Sequence, residues 1–407
     1  MIKRVKLTLP YVESFFSLAE QLDFEKQEIL IVEPEILSEF SCSACGECCQ
    51  RPWSVTVSES YYQKWGTILE NDPSERFRNA FAVYQSPTSR IYANITRKPF
   101  SHECVFLDDD RHCFIQKTYG EKALSHVCKT YPRYEQWHGA FLGRFLTAGC
   151  PDVAQMLMDY PDLYASPVVL QEQPWLHVSK QIHPLGLKNA YAWLGLSLDL
   201  AYHPQYTATQ NALRINQVLK WIFKQGMDTL SPESFRELGR EAAQGKLPFK
   251  EGYDKERAQK WRLHFSSHLP VLHQYLQNMA HGVTPVPRLA SEEQSLLEGF
   301  MHRYLMYRML TIRQDFSIAF KGFFKSYFDV VLQMVLLQWL ALYYRERDQT
   351  PLNMHHLARA FAQVSYRIEK DRDPQNDTTF KKMPTADLLE GVDVLLSADL
   401  GKAPLSP

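Results

Sequence analysis

Residues 41–50 read SCSACGECCQ, a stretch in which Cys42, Cys45, Cys48 and Cys49 crowd together, the last two adjacent. The chain holds 8 cysteines in 407 residues. The others are Cys104, Cys113, Cys128 and Cys150, and none follows Cys150. This crowding divides the sequence into a cysteine-bearing front and a cysteine-free remainder. Four close sulfurs followed by four widely spaced ones is the pattern of a segment wrapped around an inorganic centre. Thiolates are soft donors, and four of them complete the coordination of zinc or anchor an iron–sulfur cluster. Two-residue spacers bring neighbouring sulfurs to one side of a tight turn, which Gly46 eases. The touching pair Cys48 and Cys49 is awkward as a disulfide. It can serve two centres, or one member can ligate while the other packs. Eight sulfurs suffice for two four-thiolate centres, or for one with cysteines to spare.

Spacing weighs iron against zinc. Zinc sites commonly come as paired C-x2-C knuckles or with histidine partners. The second cysteine group, CVFLDDDRHC (104–113), CKTYPR (128–133) and GCP (149–151), has no such knuckle. One or two [4Fe–4S] clusters are therefore expected ahead of zinc, with all eight cysteines as candidate ligands. His102, His112, His126 and His138 lie near the cysteines and read as surface or hydrogen-bonding side chains. His264 and His268 form an i,i+4 pair without an evident third ligand and read as core or surface.

Bulk composition excludes some classes. Hydrophobic residues make up 45%, charged residues 22%, and the net charge is −1. That is ordinary globular chemistry, and it does not suggest a uniformly basic nucleic-acid binder. No continuous apolar stretch follows the charged start MIKRVKLTLPYVESFF, so no secretion signal is expected. The longest apolar run, FDVVLQMVLLQWLALYY (328–344), is interrupted by Asp329, Gln333 and Gln338. It falls short of the ~20 apolar residues a span requires and reads as a buried helix rather than a membrane span. A cytoplasmic protein is expected, and there thiols stay reduced and serve as ligands more often than as disulfides.

The run CVFLDDDRHCFIQKTYGEKALSHVCKTYPR resembles the cysteine block of the flagellin lysine N-methylase family. The elements that carry the likeness are Cys104, Phe106 and Leu107; Cys113 and Ile115; Gly120, Glu121 and Leu124; Cys128, Tyr131, Pro132 and Arg133; then Cys150 and Pro151. The opening LPYVESF and the chain length fit as well, and so do RYLMYRML (303–310) and FAQVSYRIEK (361–370). The first cysteine group resembles a wider set, the CxxCxxCC zinc- or iron-chelating proteins. Gly46 and Glu47 stand where the methylases carry an acidic-Thr pair before the double cysteine. The resemblance implies transfer of methyl groups from S-adenosylmethionine to lysine side chains of a protein, flagellin being the namesake substrate, by a chain that carries an iron–sulfur cluster. Lysine transfer needs a neutral amine and apolar or aromatic walls. Tyr304, Tyr307, Tyr366 and Glu369, in the helical pieces that resemble the family, are the candidates to bind the amine or take its proton.

The expected fold is mainly α: an irregular cysteine-rich metal- or cluster-binding region with a few short strands (1–160), a multi-helix bundle (161–372) and a partly loose tail (373–407). In the first region, 57–72 reads as a helix capped by Ser58, with Gly66 as a weak spot or stop. Residues 86–103 read as a hairpin, 108–110 as a turn, and 139–150 as a strand pair that returns Cys150. After Cys150, apolar residues recur at three and four spacings in segments beginning near 152, 187, 211, 235, 254, 291, 316 and 354, and such helices pack as a bundle. No G-x-G-x-x-G follows a strand, and no radical-type C-x3-C-x2-C occurs. A pocket for S-adenosylmethionine must then be built from helices and the cysteine segment. Two other readings share the cysteines: a non-catalytic iron–sulfur or metal protein for storage, delivery or sensing, and an electron-transfer partner.

Overall fold

A computed structural model describes residues 3–22, 28–51, 53–73, 75–138, 141–147, 149–159, 167–172, 184–226, 229–244, 246, 263, 266, 269–281, 283, 287–312, 321–370, 389, 392, 393, 395 and 396. The fold is mainly α, with short strands. The strands are β1 (Lys3–Lys6), β2 (Glu28–Val32), β3 (Thr56–Val57), β4 (Phe81–Val83), β5 (Ala93–Ile95), β6 (Arg133–Trp137), β7 (Phe141–Leu146) and β8 (Pro167–Glu172). Contacts group the chain into two units. One comprises 40–134 and 150–152; the other comprises 1–39, 135–149 and 153–407. This division differs from the linear one at residue 160 expected from the sequence. The reason is topological: the chain leaves the cysteine unit after residue 134, runs through β7 and comes back with Cys150.

The larger unit combines a sheet with the helices. Sheet order is β1-β8-β2-β7-β6. β8 pairs antiparallel with both β1 and β2, and β2 runs parallel to β7. β8 falls in the segment assigned to the bundle from sequence, so the strands are not confined to the front of the chain. The Pro184–Tyr202 helix packs against the Tyr11–Gln21 helix so closely that a Cβ at Gly195 would overlap the backbone of Tyr11 and Val12. Asp199 completes the joint. Its carboxylate accepts from the N–H groups of Tyr11 (2.7 Å) and Val12 (2.9 Å), satisfying donors that Pro10 leaves uncapped. Burial raises the Asp199 pKa to about 6.

Further helices follow: Ala208–Gln225, Pro232–Ala243, Pro270–Ala280, Ser291–Thr311, Lys321–Asp348 and Met354–Lys370. Two begin earlier than their apolar periodicity indicates, because Thr207 with Gln210 and Ser231 with Ser234 form reciprocal caps. Glu293 ties the bundle together. It accepts from the Ala290 N–H (2.8 Å), the Leu352 N–H (2.6 Å) and Arg345 Nε (2.7 Å), and the Arg345 guanidinium holds its pKa down to about 2. The Phe323–Asp348 stretch, with mean hydropathy 1.3, is long and apolar enough to cross a membrane by length and composition, but 78% of its apolar window is buried inside the protein. The tail expected to be partly loose is anchored where it is described. Leu389, Val392, Leu395 and Leu396 are buried. Asn216 donates to Leu389 O (2.8 Å) and Asp393 (2.7 Å), and Lys220 pairs with Asp393.

The smaller unit is built around a three-stranded sheet in the order β3-β5-β4. Its apolar core includes Val55, Val57, Leu69, Phe77, Phe81, Ile95, Phe106, Leu107 and Ile115, with Cys104 inside it and Cys49, Cys113 and Cys128 packed against it. Ser58 caps its helix as expected, accepting from the Tyr61 N–H. At Gly66 the helix does not stop; it widens into a π-turn over Tyr62–Gly66 and continues as Thr67–Glu70.

Candidate metal centre

The turn carrying the first cysteines is fixed by Gly46. It has φ of 72°, and a Cβ there would overlap the Arg111 carbonyl oxygen. That close approach lays residues 46–50 against the 104–113 loop. Hydrogen bonds secure it: Cys104 N–H donates to Cys49 O (2.7 Å), Arg97 Nη1 donates to Cys49 O (3.1 Å), and Arg97 Nη2 donates to Trp53 O. Arg111 also donates to the Gln50 side chain. The acidic run 108–110 forms the expected turn, closed by Arg111 N–H to Asp108 O (3.0 Å) and Asp108 N–H to His112 O (2.9 Å). Cys113 then sits at the start of the Phe114–Tyr119 helix, and Cys128 lies in the His126–Thr130 helix that Ser125 caps.

The result is a sulfur cluster assembled from both cysteine groups. Cys48 and Cys49 Sγ lie 4.0 Å apart in the Glu47–Gln50 turn. Cys49 hydrogen-bonds with Cys104, Cys113 and Cys48, and these contacts, more than burial, raise its pKa. The same contacts lower Cys48 and Cys104 and bring Cys113 down to about 7. Backbone N–H groups of Ile115 and Gln116 also favour the Cys113 thiolate, the N–H of Phe106 does so for Cys104, and the Arg51 and Arg97 charges act on Cys48 and Cys104. Cys128 lies within electrostatic range of this group, its pKa pushed by burial to about 12.

Cys42 and Cys45 form an outer, exposed pair near Cys48, each raised chiefly by desolvation. Their loop is tied to the returning chain. Ser43 N–H donates to Asp152 Oδ2 (3.0 Å) and Ser43 Oγ donates to Asp152 Oδ1 (2.8 Å), two residues beyond buried Cys150. All eight cysteines are free thiols. Among the described residues, no three His, Cys, Asp or Glu side chains stand ready-spaced to hold an ion. Binding of a metal by these cysteines would release their thiol protons.

His102, His112 and His126 are exposed, and His112 Nδ1 meets Asp110 O at 2.9 Å. His138 is fully buried in the larger unit, stacked on Phe141. His264 and His268 lie outside the described residues. Tyr304 and Tyr307 are 0% and 2% exposed. Tyr304 OH donates to Gln333 Oε1 (2.6 Å), and Tyr307 OH donates to Leu146 O while accepting from Leu146 N–H. Both hydroxyls are thus engaged in the interior of the bundle. Tyr366 and Glu369 fall in the Met354–Lys370 helix, and their side chains lie outside the described residues. Sequence reasoning missed Arg97, whose guanidinium spans the 49–53 backbone; it lies two residues beyond β5, in an isolated bridge with Cys104.

Residues 41–145 match the CxxCxxCC family, described as "Putative zinc- or iron-chelating domain". The chain is 30% identical over 142 residues to the flagellar biosynthetic protein FliU of Salmonella muenchen, a match covering 34% of this chain and 83% of that protein. The chain belongs to the flagellin lysine N-methylase family. Lysine-N-methylases of Salmonella typhimurium and Salmonella choleraesuis are also 30% identical over 142 residues. Those matches cover 34% of this chain and only 35% of each enzyme. No solved structure matches.

Proposed function

We propose that this family member is an S-adenosylmethionine-dependent protein-lysine N-methyltransferase whose unit 40–134 with 150–152 is a metal-thiolate module. The observation that carries the reading is the convergence of Cys48, Cys49, Cys104 and Cys113 within the stretch matched by the chelating-domain family. The catalytic part rests on the lysine-N-methylase names of the relatives. Donor chemistry fits the metal: the inner set is all sulfur, is not spent on disulfides, and receives N–H and guanidinium support for thiolates. Cys48, Cys49, Cys104 and Cys113 would hold the centre, with Cys128 behind them and Cys42, Cys45 and Cys150 available for a second. The long, uneven spacing of Cys104, Cys113, Cys128 and Cys150, without a second C-x2-C knuckle, favours [4Fe–4S]. Such a cluster supplies a redox-capable, rigid cross-link. Arg51 and Arg97 offset its negative charge.

Zinc is the second metal reading, and one distance favours it. Sulfurs bound to one tetrahedral zinc stand about 3.8 Å apart, close to the 4.0 Å between Cys48 and Cys49. The methyl donor supplies an electrophilic methyl group, and the protein's part is to present a deprotonated lysine amine to it. Surface lysines of a cytoplasmic protein, flagellin before export included, are the proposed substrate. Anaerobic purification with metal analysis and an absorption spectrum tests the module. Incubation with labelled S-adenosylmethionine and flagellin tests the transfer. Iron with acid-labile sulfide and label on lysine are expected; absence of metal, or no label on any protein, overturns the corresponding half.

A further inference from the structure

Beside the sulfur cluster stands a guanidinium whose charge no carboxylate answers. Arg97 faces Cys104 in an isolated antiparallel bridge. The bridge is held on both sides, by Val105 N–H on Thr96 O (3.2 Å) and Lys98 N–H on Glu103 O (2.8 Å). At its far end the side chain is held again: Nη1 donates to Cys49 O (3.1 Å) and Nη2 to Trp53 O. Cys49 O also accepts from the Cys104 N–H (2.7 Å), so one carbonyl joins Cys49, Cys104 and Arg97. Among the described residues Arg97 forms no ion pair. Elsewhere in the same unit Arg76 and Arg78 do, with Asp108 and Glu75 at 2.7 and 2.8 Å. Between the two fixed ends, Arg97 Nε is buried and has no hydrogen-bond partner.

A buried N–H without an acceptor calls for an explanation. Water cannot reach this one, and the backbone and tip contacts keep it from turning away. The guanidinium is permanently charged, and its two hydrogen bonds go to neutral carbonyls. Its charge acts instead on Cys104, where it favours the thiolate. A thiol sulfur is a weak acceptor. A thiolate or metal-bound sulfur carries negative charge, and hydrogen bonds between charged groups are the stronger kind. A donor idle against protonated cysteines is therefore one that engages when they ligate.

We propose that Arg97 is a positioning residue of the metal centre: its Nε–H donates to a cysteine sulfur once the thiols have given their protons up to a metal, and its unanswered charge sets how firmly the centre holds its ion and at what potential it is reduced. This deepens the metal-thiolate reading and rests on it. Groups that orient and hydrogen-bond metal ligands govern retention nearly as strongly as the ligands do. Charge and hydrogen bonds at the sulfurs set the potential of an iron–sulfur cluster.

The test uses the full chain purified without oxygen and with its metal. Release of the metal to excess chromogenic chelator is timed, and the midpoint potential is read in an electrode titration. Arg97→Gln should release metal about tenfold faster, and its midpoint should move to more negative values. Arg97→Lys keeps the charge and loses the Nε–H and the planar fork, so its midpoint should stay near that of wild type while release is still faster. Arg78→Gln, which removes a charge already paired with Glu75, should change neither. Equal release and equal midpoint in wild type and Arg97→Gln overturn the proposal. So does an unmoved midpoint with both Arg97 variants releasing metal at one faster rate, because loss of the two carbonyl ties alone would give that. Should Arg97→Gln purify without metal, Arg97→Lys decides: release at the wild-type rate overturns the proposal, and faster release at a kept midpoint supports it. With zinc in the chain the release rates decide, an order of wild type, Arg97→Lys, Arg97→Gln from slow to fast supporting the proposal and equal rates overturning it. A wild-type chain without metal overturns the reading of the module itself, whereas a loaded wild type with indifferent variants overturns only the part given to Arg97.

Discussion

Along the Lys321–Asp348 helix, Phe323, Tyr327, Val331, Met334, Leu337 and Leu340 are all buried, as are the residues between many of them. Along residues 41–50, Gly46 alone is buried. The first stretch is held by area: each apolar side chain withdrawn from water contributes about 1.5–3 kcal/mol, and losing one leaves the rest. The second is held by a few discrete ties, namely Gly46 against Arg111, Arg97 on two carbonyls, Ser43 on Asp152 and sulfur on sulfur. The contrast teaches where each unit is vulnerable. The helical unit should yield gradually to core substitutions, whereas the thiol unit should fail when a single tie or its metal is removed.

Stripping the metal should break the comparison most severely. Binding a structural ion to four thiolates is worth on the order of 10 kcal/mol, so Cys49→Ser or a strong chelator should abolish metal content and release the 40–134 unit. Hydrogen exchange should then rise across residues 40–134 while the long helices stay protected. Equal protection of both units after metal loss would show that sulfur is not what holds the smaller one.

Glu293→Gln strikes the opposite unit. It leaves the Arg345 guanidinium without its carboxylate and should cost about 3 kcal/mol, with metal content untouched. Acid titration sharpens this. Because Arg345 and the N–H donors hold the Glu293 pKa down to about 2, its contribution is present above the ordinary value of 4.5. It is lost as the pH falls from there towards 2. The variant should lack that portion of the acid transition in a denaturant series measured across those pH values.

Gly46→Ala combines a left-handed backbone with overlap at the Arg111 carbonyl. A cost of about 2 kcal/mol is expected, together with weaker metal retention under competition by a chromogenic chelator. Smallest is Thr207→Ala, which removes one reciprocal helix cap at about 1 kcal/mol and should shift thermal unfolding slightly without touching the metal.

Much of this contrast was legible in the sequence. The crowding of Cys42 to Cys49 and the cysteine-free remainder separated the two chemistries, and three- and four-residue spacing located most helices. Ser58, the turn at 108–110 and the part played by Gly46 were also readable, because each acts through its nearest neighbours. What escaped was long-range. β8 joins β1 and β2 across more of the chain than any local pattern spans, and Asp199 caps a helix that begins at Tyr11. The interior engagement of Tyr304 and Tyr307 depends on Gln333 and Leu146, which periodicity cannot place beside them. Arg97 belongs to the sulfur cluster only because the 46–50 turn folds against its bridge with Cys104.

The clasp between Ser43 and Asp152 carries a consequence for how the chain is made. Ribosomes deliver the polypeptide from one end at about 5–20 residues per second, so the partner for Ser43 emerges on the order of ten seconds after it. Throughout that delay Cys42 and Cys45 are nascent thiols without their clasp, open to oxidation and to stray copper or zinc. Closure of the loop that carries Cys42 and Cys45 is thereby deferred until the returning segment with Cys150 has been synthesised.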